Sequence, residues 1–165
     1  MKVGIIGVGG LGQFALQMAM IKGCEVYASD VSEAAMQLAK ELGCKKVYNN
    51  TVDMKEAECD LIVDFAGFGK TTADALEAIK PTGTVVIVGM GILQSEINTY
   101  LMITKEIKLL GSNGGTVEDL QGVYECFATG KMTPQLTTIP FEEIDVGLEK
   151  LKNHEVKGRL VAVFD

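Results

Sequence analysis

One histidine, no tryptophan, four scattered cysteines and no long apolar run set the first limits on this chain of 165 residues. His154 stands in a polar, lysine-bearing segment and reads as a solvated surface residue rather than a ligand or a base. No nucleophile-and-base pair can be assembled from the remaining residues, so no catalytic residue is assigned. Cys24, Cys44, Cys59 and Cys126 lie too far apart for a metal site, which takes its ligands at short turn or helical spacings. They read as small hydrophobes near strand and helix ends, and no metal ligand is assigned. Basic charge is also scarce: 15 Lys and Arg against 22 Asp and Glu leave a net charge of −7. Nucleic acid and anionic membranes both require a basic face, so neither is expected as a partner. The longest apolar run, Val85 to Leu93, is far too short to span a bilayer. Residues 1–23 superficially resemble a signal peptide, but glycines, Gln13 and Gln17 interrupt the stretch and no cleavage-type ending follows. The expected location is the cytoplasm, where the sequon Asn49-Asn50-Thr51 has no meaning.

Hydrophobic residues supply 47% of the chain and no segment is of low complexity, which suits a globular domain. A chain of this length buries roughly 70% of its unfolded surface. The richest segment is Gly7-Val8-Gly9-Gly10-Leu11-Gly12, directly after the apolar strand Lys2 to Ile6. In such a turn Gly7 lets the chain leave the strand sharply, Gly9 removes a side chain where a pyrophosphate approaches, and Gly12 lets the next helix pack closely. That helix, with Leu11, Ala15, Met18, Ala19 and Ile21 on one face, offers free N–H groups and a positive dipole end to phosphates. A second strand, Glu25 to Ser29, delivers Asp30, whose carboxylate suits the hydroxyls of a ribose. Ser32 is better placed than Asp30 to cap the following helix, which leaves Asp30 free for that role. A carboxylate repels a ribose 2′-phosphate, and residues 31–35 carry no base, so the expected cofactor is NAD rather than NADP.

Strands and helices alternate along the rest of the chain, the pattern of a parallel sheet covered on both faces. A helix from Glu33 to Leu42 closes at Gly43, and a short strand follows at Lys46 to Tyr48. Thr51 to Glu58 is polar and holds a turn or two of helix. Asp60 to Phe65 is the fourth strand, Thr71 to Ile79 a helix, Thr84 to Val88 the fifth strand, and Ile107 to Leu110 the sixth. Gln94 to Thr104 contains a short helix. The expected fold is α/β, a doubly wound six-stranded Rossmann sheet of order 3-2-1-4-5-6. A tail of two helices, Val117 to Thr129 and Glu142 to Asn153, and a last strand, Leu160 to Phe164, follows it. Pro134 and Pro140 bracket what reads as the connection between those helices. Gly67-Phe68-Gly69-Lys70-Thr71 imitates the end of a triphosphate-binding loop, but Asp64 stands where that motif needs its first glycine.

Taken in order, these segments resemble the cofactor-binding half of medium-chain, zinc-dependent alcohol dehydrogenases, and among them the bacterial primary-alcohol enzymes. Val3 to Gly12, Leu38 to Gly43, Asp64-Phe65-Ala66-Gly67, Gly83 to Gly89, Ile107 to Ser112, Gly115-Thr116, Asp119-Leu120 and Gly158-Arg159-Leu160-Val161 carry the resemblance. It implies that Gly10 and Leu11 offer N–H groups to the pyrophosphate and that Asp30 holds the adenosine ribose. Ala66 and Gly67 would line the cofactor, Gly89, Met90 and Ser112 would meet the nicotinamide and its ribose, and Arg159 would reach the pyrophosphate. Two positions depart from the family pattern, Cys44 where alanine is usual and Ala35 where a base often touches the adenosine. The resemblance further implies an NAD-binding domain over residues 1–115 and a tail, residues 116–165, whose apolar strand is partly unsupported without a catalytic half. That half would carry the zinc ligands, proton relay and substrate pocket, so this chain is expected to be a domain cut from a longer oxidoreductase and inactive alone. A homodimer through the sixth-strand edge is also implied. The alternatives are a stand-alone NAD(H)-sensing module and a zinc-independent reductase of the wider family.

Overall fold

Short runs rich in Val and Ile form the strands, because β-branched side chains fit a sheet buried on both faces. The computed structural model describes residues 1–153 and 155–164, so the reading of His154 lies outside the described residues. Six strands, β1 (Lys2–Ile6), β2 (Glu25–Ser29), β3 (Lys46–Tyr48), β4 (Leu61–Asp64), β5 (Thr84–Ile87) and β6 (Lys108–Gly111), pair in the order β3-β2-β1-β4-β5-β6. Every neighbouring pair is parallel, with Val3 of β1 opposite Val26 on one side and Leu61 on the other. This is the doubly wound order expected from the sequence.

Helices α1 (Gly12–Ile21), α2 (Glu33–Glu41), α3 (Lys70–Ala78) and α4 (Thr99–Thr104) connect the strands, together with a 3-10 helix at Thr51–Ala57. Two apolar layers result. Val3, Ile5, Val26 and Ala28 pack with Leu16 of α1 and Leu38 of α2. On the other face, Ile62 and Val85 pack with Met54 of the 3-10 helix and Leu76 of α3. Ser32 caps α2 as expected, its side chain accepting from the Ala35 N–H.

The tail differs from its sequence reading. It contains α5 (Val117–Ala128), β7 (Leu136–Pro140), a 3-10 turn at Phe141–Glu143, α6 (Ile144–Lys152) and β8 (Arg159–Val163). The stretch bracketed by Pro134 and Pro140, expected to be a plain connection, is the strand β7. It pairs in parallel with β8, from Leu136 opposite Arg159 to Pro140 opposite Val163. Pro140 is tolerated because it ends the strand, where its missing N–H costs no ladder bond. The last strand, expected to be partly unsupported, therefore has a partner, although it stays half-exposed. α6 seats on this pair at Gly147, where a β-carbon would come within 2.5 Å of Ile139.

Candidate functional site

The strand order reverses between β1 and β4, and the crevice beyond the C-terminal ends of their strands is where doubly wound sheets bind ligands. The glycine turn lies there. Gly7 has a φ of 84°, and its N–H donates to the Ser29 carbonyl at 2.9 Å. A β-carbon on Gly12 would stand 1.8 Å from the Gly7 carbonyl oxygen, so α1 can begin against the turn only with glycine there. Gly9 is different: a β-carbon would meet no protein atom within 4 Å, and its φ is not positive. Leu11 sits at the N-cap of α1 and no side chain caps that helix. The Gln13 and Phe14 N–H groups donate to the Gly9 and Leu11 carbonyls at 3.3 and 3.0 Å, and no described residue accepts from the Gly10, Leu11 or Gly12 N–H groups.

Asp30 is not free, contrary to expectation. One carboxylate oxygen accepts from the Val8 N–H at 2.7 Å and the other from the Ser32 N–H at 2.9 Å. The residue thus ties the end of β2 to the glycine turn. A carboxylate has about four acceptor sites, so capacity for two ribose hydroxyls remains.

Beyond β4 and β5 two loops interlock. Gly67 has a φ of 62°, and a β-carbon on it would lie 2.0 Å from the Gly89 carbonyl oxygen. The Gly67 carbonyl accepts from the Ile92 N–H at 2.7 Å. Asp64, fully buried, organises this corner. One of its oxygens accepts from the Ala66 and Gly67 N–H groups, the other from the Thr71 and Thr72 hydroxyls, all within 3.0 Å. Met90 is exposed just beyond, and the Ser112 N–H, at the end of β6, donates to the Ile87 carbonyl. Ala66, Gly67, Gly89, Met90 and Ser112 therefore line the same edge of the sheet as the glycine turn.

Arg159 arrives from the second sheet. Its guanidinium carbon lies 3.0 Å from where a β-carbon on Gly10 would stand. The tail that carries it is gripped by two buried glutamines of α1. Gln13 accepts from the Gln135 N–H at 2.7 Å and donates to its carbonyl at 3.3 Å. Gln17 accepts from the Thr133 N–H at 2.8 Å and donates to its carbonyl at 2.9 Å. An edge-to-face pair of Phe14 and Phe127 adds to the contact. In the sequence both glutamines read only as breaks in an apolar run, and Asp64 as a flaw in a phosphate loop and part of the segment Asp64-Phe65-Ala66-Gly67, with no hint of what it bonds. The available signal was a pair of amides four residues apart beside the buried stripe of α1.

Among the described residues, no three side chains of His, Cys, Asp or Glu converge to hold a metal. All four cysteines are free, and burial pushes the thiols of Cys44 and Cys59 up to about 12.

Residues 10–129 match the family described as zinc-binding dehydrogenase. The chain is 32% identical over 169 residues to an alcohol dehydrogenase of Geobacillus stearothermophilus, covering 96% of this chain and 49% of that protein. An acetophenone reductase from Geotrichum candidum, solved in complex with NAD, superposes with a TM-score of 0.90 at 34% identity, over 96% of this chain and 47% of that one. An alcohol dehydrogenase from the archaeon Aeropyrum pernix superposes at 0.89 with 29% identity, over 98% and 49%. The chain spans about half the length of these relatives.

Proposed function

This chain belongs to the zinc-binding dehydrogenase family, and from that premise we propose that it holds NAD(H) for hydride transfer between an alcohol and its carbonyl compound. Gly9 carries the reading. Neither backbone conformation nor protein contact calls for glycine there, whereas a pyrophosphate approaching the backbone does. The N–H groups of Gly10, Leu11 and Gly12, which no described residue accepts from, the guanidinium of Arg159 over Gly10 and the carboxylate of Asp30 stand around the same turn.

Gly10 and Leu11 would bind the pyrophosphate through their N–H groups, with Arg159 adding a charged donor. Asp30 would accept from the adenosine ribose and turn away a 2′-phosphate, which favours NAD over NADP. Ala66, Gly67, Gly89, Met90 and Ser112 would orient the nicotinamide end, whose bound ring supplies or accepts the hydride. The described residues do not suit zinc, so no step is routed through the metal, and residues 116–165 would form a tail that meets a separate catalytic half. The exposed edge of β6, with Leu110 outward, supports pairing with a second copy into a dimer.

Titration with NADH and NADPH, followed by nicotinamide fluorescence, tests the reading, and the absence of tryptophan removes indole energy transfer. NADH is expected to saturate with an affinity at least about tenfold above NADPH, the discrimination of one well-placed charge. Equal affinities would remove the role of Asp30, and no binding of either would refute the proposal.

A further inference from the structure

We propose that Gln13 and Gln17 are positioning residues for the dinucleotide phosphates, gripping the tail so that Arg159 is held over the glycine turn. The inference rests on the NAD(H) reading above. Residues four apart on a helix are separated by about 6 Å along its axis, and alternate residues of an extended chain by about 6.7 Å. The amides of Gln13 and Gln17 therefore match the peptide groups of Gln135 and Thr133, with the chain running opposite to α1. Each side chain gives one donor and one acceptor, as a neighbouring strand would, and both glutamines are buried.

Gln13 is one backbone group away from the arginine. The Gln135 carbonyl that accepts from Gln13 also accepts from the Arg159 N–H at 3.0 Å. The peptide ahead of Arg159 packs on the same carbonyl: Gly158 has a φ of 77°, and a β-carbon on it would lie 2.2 Å from that oxygen. One helix thus presents its N-terminus to the phosphates and, within its first two turns, fixes the strand that brings the guanidinium to Gly10. Beside the Phe14–Phe127 contact and the Lys157–Glu41 ion pair, the two glutamines bond α1 to the backbone just ahead of β7. The two glutamines tie the arginine to the helix whose amides it complements.

The test is a double-mutant cycle read by NADH titration on Gln13→Met, Arg159→Ala and the combined variant, Met being close in volume but unable to make either hydrogen bond. Each single change is expected to weaken NADH by about tenfold, the worth of a charge-assisted hydrogen bond. The combined variant is expected to bind no more weakly than Arg159→Ala alone, and both single variants should show a shallower salt dependence of affinity. Gln17→Met, one turn further from the arginine, serves as the second variant in the same cycle. Hydrogen exchange at residues 133–139 is expected to quicken in both glutamine variants. Losses that add with that of Arg159→Ala, or unchanged NADH affinity in both glutamine variants, would show that the amides only stitch the tail and would overturn the inference. Failure of the unaltered chain to bind NADH would instead refute the functional reading, and this inference with it.

Discussion

Gly9 and Gly12 are the same residue in one motif for opposite reasons. Gly12 is required by the fold, since its β-carbon would collide with the Gly7 carbonyl. Gly12→Ala is expected to lower stability in urea by about 3 kcal/mol, the upper range for forcing atoms into packed space. Gly9 has open space around it, so Gly9→Ala should leave the urea midpoint unchanged while weakening NADH in a titration. Unchanged NADH affinity in that variant would remove the main support for a phosphate site. Both glycines were legible in the sequence, but only the geometry separates their roles. Asp30 was legible as a carboxylate at the end of β2, whereas its bonds to Val8 and Ser32 depend on how the turn closes. Cys44 and Cys59 were read as small hydrophobes, and burial pushes both thiols up to about 12. Their alkylation by iodoacetamide at pH 8, followed by mass spectrometry, is expected to be slow unless the chain is unfolded.

Among the elements, the strands of the large sheet were legible because each is a self-contained apolar run. β7 was not. Leu136 to Ile139 is short and flanked by prolines, and its partner β8 lies beyond α6. Strand identity there is set by non-local pairing, which no local pattern carries. The corner after β4 shows the same limit, because nothing local to Asp64 says that it receives four hydrogen bonds in the interior. Asp64→Ala would leave two N–H groups and two hydroxyls without their acceptor. Its expected cost is about 3 kcal/mol, read as a lower midpoint in urea. A loss no larger than a surface substitution would mean that the corner reorganises without it.

For the whole molecule, ligand and proton linkage give measurable expectations. NADH at about a hundred times its dissociation constant should add about 2.7 kcal/mol of stability, or roughly 5–10 °C in Tm for a chain of this size. The Lys80 ammonium beside Asp60, and the Thr116 N–H and hydroxyl beside Asp119, hold these carboxyls below their usual value of 3.8. Groups lowered in the folded state contribute stability above their unfolded pKa and lose it as pH falls through the folded one. The urea midpoint should therefore decline below about pH 4, in the window set by ordinary carboxylates. Sedimentation velocity at micromolar concentration is expected to show a dimer, and a monomer there would count against pairing through β6.

By itself the sequence determined the doubly wound sheet, the glycine turn, the acid at the end of β2 and the family, because each is written in short local runs and in their order along the chain. Tertiary structure decided the rest. It made a strand of residues 136–140, buried Asp64 beneath two loops, and brought Arg159 across to Gly10 through Gln13 and Gln135. These contacts join residues far apart in sequence, so their existence depends on loop closure and packing of the whole chain rather than on any local preference.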